Sequence, residues 1–177
     1  MLTQEAVDGR RAAVLGKPVA HSLSPVIHNA GYAAAGLTNW SYTAIECAEA
    51  ELADLVAGLG PEWAGLSLTM PLKEVALEVA DEAAPLATTL GAANTLVRRS
   101  DGSWYADNTD APGLVAALGE AVTAVGRVVI LGAGGTARAA LAAAARLGAG
   151  EVAVVARRAQ AVAELQPVAA ALGVVAR

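Results

Sequence analysis

The stretch VVILGAGGTARA, residues 128–139, places a run of four apolar residues directly before a glycine-rich turn. This order predicts a strand, a tight turn and a helix, as a dinucleotide-binding site requires. Gly132 allows the turn, Gly134 lets a pyrophosphate approach the backbone, and small Ala137 lets the helix pack on the strand. The N–H groups at the helix start then face the anion. We therefore predict a phosphate-binding turn made of Gly132, Ala133, Gly134, Gly135, Thr136 and Ala137. A tight turn in a domain without a ligand is the alternative.

The residues after the next predicted strand, Glu151–Val155, indicate which dinucleotide is bound. That strand is followed by Ala156, Arg157 and Arg158. A site that selects NAD usually carries an acidic residue there, which binds the ribose hydroxyls. Two arginines suit a 2′-phosphate instead, so we expect NADP, bound by Arg157 and Arg158. A solvated surface pair is the alternative, with more weight at Arg158.

Composition and charge exclude several other classes of partner. The net charge of -5 argues against a nucleic-acid partner, since such proteins usually carry a basic face. Cys47 is the single cysteine, which excludes an internal disulfide, and with only His21 and His28 beside it the composition argues against a structural zinc site. A reducing cytoplasm fits this cysteine usage. The start of the chain lacks the apolar core of a signal peptide, and the alanine-rich segments are flanked too closely by arginines to span a membrane.

Short apolar runs alternate with segments of helical period from residue 11 onward, which is typical of a βα fold. Ser24 as N-cap, with Pro25 at the first helical position, predicts a helix start. An Asp101-Gly102 turn predicts a hairpin between Ala93–Arg98 and Ser103–Ala106. The other predicted strands are Ala12–Leu15, Trp40–Ile45, Ala64–Leu68 and Val128–Leu131, and the predicted helices are Ser24–Ala35, Ala48–Leu59, Leu72–Ala80 and Asp110–Leu118.

Four short segments place polar groups at predicted strand ends and helix starts, where βα units carry their ligands. They are residues 21–25, 67–73, 91–95 and 107–110. In a chain that is 55% hydrophobic, such clustering indicates a polar ligand. Serines at a helix start can bind a carboxylate, although an N-cap role for Ser24 is the simpler alternative. Lys73 and Asp110 could form a proton-transferring pair, or could be ordinary surface charges.

Taken together and in this order, these segments resemble the shikimate dehydrogenase family. The resemblance is carried by SLSP (22–25), LTMPLK (68–73), GAANT (91–95), DNTDAPG (107–113) and GAGGTARA (132–139), and it extends from about residue 11 to the last residue. It implies an α/β fold, with an N-terminal βα substrate domain built on a mainly parallel sheet and a partial Rossmann-type NADP-binding domain. We expect residues 1–118 to form the substrate-binding catalytic domain and residues 119–177 the partial NADP-binding domain.

The family's chemistry, carried over residue by residue, implies roles for the polar segments. Ser22 and Ser24 would bind the substrate carboxylate, with Ser67 as a further contact. Three residues would bind the ring hydroxyls: Thr69, Asn94 and Asp110. Lys73, beside Asp110, would act as the acid/base while NADPH reduces 3-dehydroshikimate reversibly to shikimate. The resemblance thus implies a cytoplasmic enzyme of the shikimate pathway, which leads to chorismate and the aromatic amino acids.

Three departures from the family pattern leave alternatives open. Ser67 stands where the family usually has Asn, and Ala156 and Arg158 replace the Asn and Thr that flank Arg157. Family members also continue with a second half of the nucleotide domain. We therefore expect this chain to expose a sheet edge and an apolar helix face, so that either it is a fragment or a partner, such as a second copy in a homodimer, covers that edge. The alternatives are a quinate/shikimate dehydrogenase, against which Arg157 and Arg158 count, and a non-catalytic shikimate-binding fragment.

Overall fold

A computed structural model describes residues 9–177, which form two units. One unit runs to Ala83 and includes Asn94–Asp107; the other contains Ala84–Ala93 and Asn108–Arg177. The start of the chain, for which the sequence predicts no signal peptide, lies mostly outside the described residues. The predicted boundary after residue 118 separates a substrate-binding from an NADP-binding domain, whereas these two units are defined by packing alone. That boundary therefore stays a prediction.

The first unit is built on a six-stranded sheet with the order β2-β1-β3-β5-β6-β4. Strands β1, β2 and β3 are parallel, whereas β5 runs antiparallel to both β3 and β6. A 3₁₀ helix, Glu49–Glu51, precedes α2. The other elements are β1 Arg10–Gly16, α1 Ser24–Ala34, β2 Trp40–Glu46, α2 Leu52–Ala57, β3 Trp63–Leu68, α3 Ala76–Val79, β4 Glu82–Ala83, β5 Thr95–Arg98 and β6 Trp104–Asp107.

The second unit is built on a three-stranded parallel sheet with the order β7-β8-β9. Its longest helix, α6, buries six residues, four of them consecutive. Five of the six, all except Ala143, pack with Ile130, Val152 and Val154 into one hydrophobic core. Its elements are α4 Pro85–Leu90, α5 Asp110–Gly119, β7 Arg127–Leu131, α6 Gly135–Arg146, β8 Glu151–Val155, α7 Ala159–Ala163, α8 Gln166–Ala171 and β9 Val175–Ala176.

One face of this second sheet is open. Strand side chains alternate between faces, so Ile130 is buried while Val129 and Leu131 are 65% and 82% exposed. Val155 and Val175 continue the exposed face on the neighbouring strands. Within the described residues, β7 has a strand partner on one side only. The expected exposed edge is confirmed, and the open apolar surface belongs to the sheet rather than to a helix.

The predicted strands and the α1 and α5 helices are confirmed to within two residues, but two other helices are shorter than predicted. Leu72–Ala80 is helical only over Ala76–Val79, because the residues before it form turns in which the Leu72 N–H donates to Thr69 O at 2.8 Å. Ala48–Leu59 begins as a 3₁₀ turn and ends as α-helix at Ala57. The Glu51 carboxylate accepts from the Ala48 N–H at 2.6 Å, which shapes that start.

The predicted hairpin is present, but its turn is longer than two residues. The strand ladder ends at the pair Arg98–Trp104, so five residues, 99–103, connect the strands. Gly102 has φ +88°, and its N–H donates to Arg99 O at 3.0 Å. The Asp101 carboxylate accepts from the N–H and hydroxyl of Ser103, which also holds the pKa of Asp101 below its ordinary value. A type I turn followed by a left-handed glycine therefore replaces the predicted turn.

Helix α4 was not predicted. It carries Pro85 in its first turn and ends at Gly91, which has φ +61°. Proline at the start and a left-handed glycine at the end are both helix-boundary signals, but the segment between them is only six residues long. So short a segment shows too little helical period to be distinguished from a loop.

Candidate functional site

The polar segments of the first unit meet at the edge of the sheet where β1, β3 and β6 end. Because these strands run in the same direction, the residues that follow them lie along one edge. The register pairs Ser67 with both Val14 and Thr95, and Thr95 with Asp107. We call this edge, formed by residues 16–24, 67–73, 94–95 and 107, the polar edge.

Ser22 and Ser24 lie at the start of α1. Ser24 is the first helical residue, and the N-cap is Leu23, so the prediction that Ser24 is the N-cap is wrong by one position. The Ser24 N–H donates to Ser22 Oγ at 3.3 Å. No cap hydrogen bond from a side chain is present at this helix start. The Ser24 hydroxyl is therefore not used as a cap, and both serines are partly exposed at the polar edge.

The segment from Ser67 to Lys73 is fixed by backbone contacts with the end of β1. The Thr69 N–H donates to Leu15 O at 2.9 Å, and the Lys17 N–H donates to Met70 O at 3.0 Å. A Cβ atom on Gly16 would collide with Thr69 Cγ2 and lie 2.9 Å from Met70 O, so this close approach requires glycine. Ser67, Thr69 and Lys73 are all half-buried beside the segment that leads to Ser22.

Asn94 is bound into the same edge through its backbone. Its carbonyl accepts from the Leu68 N–H at 2.7 Å, and its N–H donates to Asp107 O at 3.1 Å. The Thr95 hydroxyl donates to Asn94 Oδ1 at 3.0 Å, which orients the amide. The structure thus brings together, in one unit, the predicted residues Ser22, Ser24, Ser67, Thr69, Lys73 and Asn94.

Asp110 belongs to the second unit, where it is the first residue of α5. The buried side chain of Asn108 supports this start: its Nδ2 donates to Ala92 O at 2.9 Å, and its Oδ1 accepts from the Ala111 N–H at 3.2 Å. Asn108 therefore joins the segment that leads to Asn94 with the segment that carries Asp110. The pairing of Lys73 with Asp110 stays a prediction.

The glycine-rich turn adopts the strand, turn and helix order that its sequence predicts. Gly132 has φ +108°, a conformation that favours glycine, and its N–H donates to Val155 O at 2.8 Å. A Cβ atom on Gly134 would meet no atom within 4 Å, so open space lies above this residue. Ala137 is buried at 7% exposure, where a larger side chain would push α6 away from the strand.

A cavity of about 910 Å³ opens beside this turn, across the ends of β7 and β8. Gly132, Gly134, Arg157 and Arg158 are among the residues that line it. Both arginines are exposed, and neither forms an ion pair with any residue in the described part of the chain. The cavity therefore combines backbone N–H groups at the start of a helix with two available guanidinium groups, which suits a ligand that carries several phosphates.

Four other side chains of the first unit are buried or stacked on a neighbour, which indicates structural roles: Cys47, Trp63, Trp104 and His28. Cys47 is buried, and its surroundings raise the pKa of its thiol, first through burial and then through the charge of Glu51. A thiol held neutral in this way is a packing residue. Trp63 and Trp104 are also buried, and His28 stacks on the Tyr42 ring with centroids 4.1 Å apart.

Three supporting residues were missed in the sequence. Tyr42 donates its hydroxyl hydrogen to Ser67 Oγ at 2.7 Å, Asn29 bonds to the backbone of Tyr42, and Arg138 donates from Nη1 to Leu90 O at 3.0 Å. Arg138 falls within the glycine-rich motif, and its position between two small residues is a local pattern that could have revealed it. Tyr42 and Asn29 are separated from their partners along the chain, so no local pattern reveals them.

The fold and the two sites define a class: α/β proteins that combine a βα substrate-binding unit with a Rossmann-type dinucleotide-binding unit. The model of the shikimate dehydrogenase substrate binding domain matches residues 14–96. Beyond that range too, the chain is similar to shikimate dehydrogenases.

Known proteins are similar to this chain over much of its length. The NADP(+) shikimate dehydrogenase of Caulobacter vibrioides is 52% identical over 150 residues, which is 81% of this chain and 52% of that protein. The crystal structure of a shikimate 5-dehydrogenase from Mycobacterium fortuitum superposes with a TM-score of 0.84 at 47% identity, covering 97% of this chain and 63% of the other. The Thermus thermophilus enzyme in complex with NADP(H) and shikimate superposes with a TM-score of 0.81 at 36% identity, covering 95% and 62%. The chain thus spans about half the length of the curated relative.

From residue 9 onward, no helix is long and apolar enough to cross a membrane. The same part of the chain contains no group of three or more His, Cys, Asp or Glu side chains that could hold a metal ion.

Proposed function

We propose that this chain carries the substrate-binding domain and the first half of the NADP-binding domain of a shikimate dehydrogenase. The reaction is the reversible, NADPH-dependent reduction of 3-dehydroshikimate to shikimate in the shikimate pathway. We assign residues 1–118 to the substrate-binding catalytic domain and residues 119–177 to the partial nucleotide-binding domain. The enzyme acts in the cytoplasm, with which its single unpaired cysteine is consistent.

The polar edge binds the substrate. The hydroxyls of Ser22 and Ser24 donate to the carboxylate, close to the start of α1, where the helix dipole also favours negative charge. Ser67 is a further contact. Thr69, Asn94 and Asp110 bind the ring hydroxyls, for which the amide of Asn94 offers both donors and an acceptor. The partly buried position of this edge supports the assignment, because hydrogen bonds to a ligand strengthen where water is excluded.

Lys73 moves the proton. During reduction, the C3 carbonyl oxygen of the substrate gains negative charge, and the Lys73 ammonium donates a proton to it from Nζ. In the reverse direction, neutral Lys73 accepts that proton from the C3 hydroxyl. We assign Asp110 to the same step, as the partner of Lys73 that the family resemblance implies.

The second unit suits NADP. When bound, NADPH supplies the hydride. The turn from Gly132 to Ala137 holds the pyrophosphate, because open space lies above Gly134 and α6 begins there. Arg157 and Arg158 hold the 2′-phosphate: both line the cavity, and neither is engaged in an ion pair with a described residue.

One observation carries this proposal: the backbone hydrogen bonds of β1, β3, β5 and β6 bring all the polar segments of the first unit to a single edge. The test is to measure shikimate binding by calorimetry and NADPH formation at 340 nm with the purified protein. Shikimate, quinate, NADP and NAD are supplied in all four pairings. We expect saturable binding of shikimate and turnover with shikimate and NADP.

The other outcomes identify the alternatives. Similar turnover of quinate, or turnover with NAD, would indicate a quinate/shikimate dehydrogenase. Shikimate binding without turnover by the full-length gene product would indicate a non-catalytic binding protein. Turnover by a longer gene product but not by this chain would instead show that the second half of the nucleotide domain is required. No shikimate binding at all would exclude the family's activity. The net charge of -5 favours small molecules over nucleic acid as partners. A homodimer, tested by light scattering, is compatible with the open face of the second sheet.

A further inference from the structure

Tyr42 lies between two segments of the polar edge without belonging to either. Tyr42 lies on β2 and pairs with Ala12 on β1, whereas Ser67 lies on β3, on the other side of β1. The Tyr42 ring is 4% exposed and packs with Ala12 and Val14 of the intervening strand. From this buried position the hydroxyl reaches Ser67 Oγ at 2.7 Å. Tyr42 therefore spans one strand to contact a predicted substrate residue.

Tyr42 also anchors the helix that carries Ser22 and Ser24 at its start. The Asn29 side chain donates to Tyr42 O at 2.8 Å and accepts from the Tyr42 N–H at 2.9 Å. One residue earlier, the His28 ring stacks on the Tyr42 ring at an interplanar angle of 12°. None of the residues of α1 is buried, so burial of apolar side chains contributes little to its position. The contacts of Asn29 and His28 with Tyr42 therefore hold the helix to the sheet.

The hydrogen bond with Ser67 determines which way the serine hydroxyl points. A phenol is a stronger hydrogen-bond donor than an aliphatic alcohol, and Tyr42 is the donor in this pair. With its oxygen accepting from Tyr42, Ser67 has its own hydrogen left to donate to a ligand. Ser67 is half-buried at the polar edge, where such a ligand would bind. A serine held in this state favours an acceptor, such as a carboxylate oxygen, over a donor.

We propose that Tyr42 is a positioning residue: it fixes the Ser67 hydroxyl as a donor to the substrate carboxylate and holds the start of α1 in register with it. This inference rests on the proposed function, since it assumes that a carboxylate binds at the polar edge. Ser67 stands where the family usually has Asn, so Tyr42 supplies the orientation that a planar amide would have from its own geometry.

The test is a double-mutant cycle on shikimate affinity, measured by calorimetry with Y42F, S67A and Y42F/S67A. Y42F keeps the ring, and so the stack with His28, and removes one hydroxyl. We expect Y42F and S67A each to weaken shikimate binding by about three- to tenfold, the size of one hydrogen bond. Because Tyr42 acts through Ser67, Y42F should change the affinity little once S67A is present.

The matched control is Y32F. Tyr32 contributes its ring to the same cluster, and its hydroxyl has no hydrogen-bond partner in the described part of the chain. Y32F should therefore leave shikimate affinity unchanged.

The outcomes separate this inference from the proposed function. No shikimate binding by the unmodified protein would overturn the proposed function. Normal binding by the unmodified protein together with unchanged affinity in Y42F would overturn this inference alone. So would equal losses from Y42F in the presence and absence of Ser67, because a purely structural role for Tyr42 would not depend on that hydroxyl.

Discussion

Arg138 on α6 donates from Nη1 to the carbonyl oxygen of Leu90, the last residue of α4, at 3.0 Å. Leu90 is fully buried, and its carbonyl lies at a helix C-terminus, where partial negative charge accumulates. An arginine of the glycine-rich motif thus caps the helix that precedes the GAANT segment. The motif contributes to stability as well as to the cavity beside it.

Replacing Arg138 by Met should lower the free energy of unfolding by about 1.5–3 kcal/mol, the range for hydrogen bonds to charged groups. The change leaves the Leu90 carbonyl without its charged donor. Urea unfolding followed by circular dichroism measures it. R146M is the control: Arg146 is exposed in the last turn of the same helix, and its loss should cost under about 0.5 kcal/mol. Equal losses in the two variants would contradict the capping role.

Gly16→Ala should both destabilise the protein and weaken shikimate binding. The added methyl group would collide with Thr69 Cγ2 and crowd Met70 O, so the segment leading to Lys73 must move. Overpacking of this kind costs about 1–3 kcal/mol. G31A is the control, because a Cβ atom on Gly31 meets nothing within 4 Å and Ala is favoured over Gly in a helix by up to about 1 kcal/mol. Shikimate affinity that is equal in both variants would show that this contact does not shape the site.

Lys73→Ala should lower the rate of shikimate oxidation by about 10²–10⁴, the usual size of a general acid/base contribution. Shikimate binding should change much less, since Lys73 acts mainly in the transition state. Steady-state rates and calorimetry separate the two effects. The chain offers a matched control in its other lysine, Lys17, which is exposed and contacts Met70 through its backbone N–H, a bond that alanine retains. An unchanged rate in K73A would remove Lys73 from the mechanism.

Arg157→Ala should weaken NADP binding by roughly ten- to a hundredfold, as the loss of a charge-assisted contact to a phosphate implies. NAD binding should change little, because NAD lacks the 2′-phosphate. Fluorescence titration with each nucleotide gives the comparison, and R146A provides a control at an exposed arginine far along α6. Equal losses for both nucleotides would mean that Arg157 does not bind the 2′-phosphate.

The protein should lose stability at alkaline pH through Tyr42. Burial raises the pKa of Tyr42 above its ordinary value of 10.0. The unfolded chain therefore releases this proton at a lower pH than the folded protein. Stability is thus fully present below the unfolded pKa and is lost as pH rises through the folded pKa. Phenylalanine at position 42 does not titrate. Urea unfolding should therefore show that Y42F has a lower free energy of unfolding than the unmodified protein at pH 7, and that this difference becomes smaller above pH 10. A deficit that stays constant with pH would contradict this account.

Much of the fold follows from local sequence patterns. The strands of the first sheet and the run from β7 to β8 show apolar periods, and the glycine-rich turn has chemistry that few other structures require. Where local pattern failed, a contact from elsewhere determined the structure. The turns before α3 form because the Thr69 N–H is bonded to Leu15 O in β1, and the Leu72 N–H then closes a turn onto Thr69 O. The hairpin turn is lengthened by the Asp101 side chain, which competes with the strand ladder.

The candidate site divides in the same way. Ser22, Thr69, Lys73 and Asn94 were predicted because their segments keep a fixed order along the chain, and the sheet brings these segments to one edge. The contact of Tyr42 with Ser67 links residues 25 positions apart across an intervening strand. Only the register of β2 on β1 and of β1 on β3 brings them together, and no property of either residue type reveals it.

The amide of Asn29 also has a consequence for the behaviour of the protein at high concentration. Strand β2 lies at the outer end of its sheet, where exposed backbone groups invite strands from other molecules to add and aggregates to grow. Asn29 bonds to both the N–H and the carbonyl of Tyr42, in the middle of that strand. The Asn29 side chain thereby occupies the two backbone groups of Tyr42 that a strand from another molecule would bond to, and it blocks intermolecular β-pairing at this point of the edge.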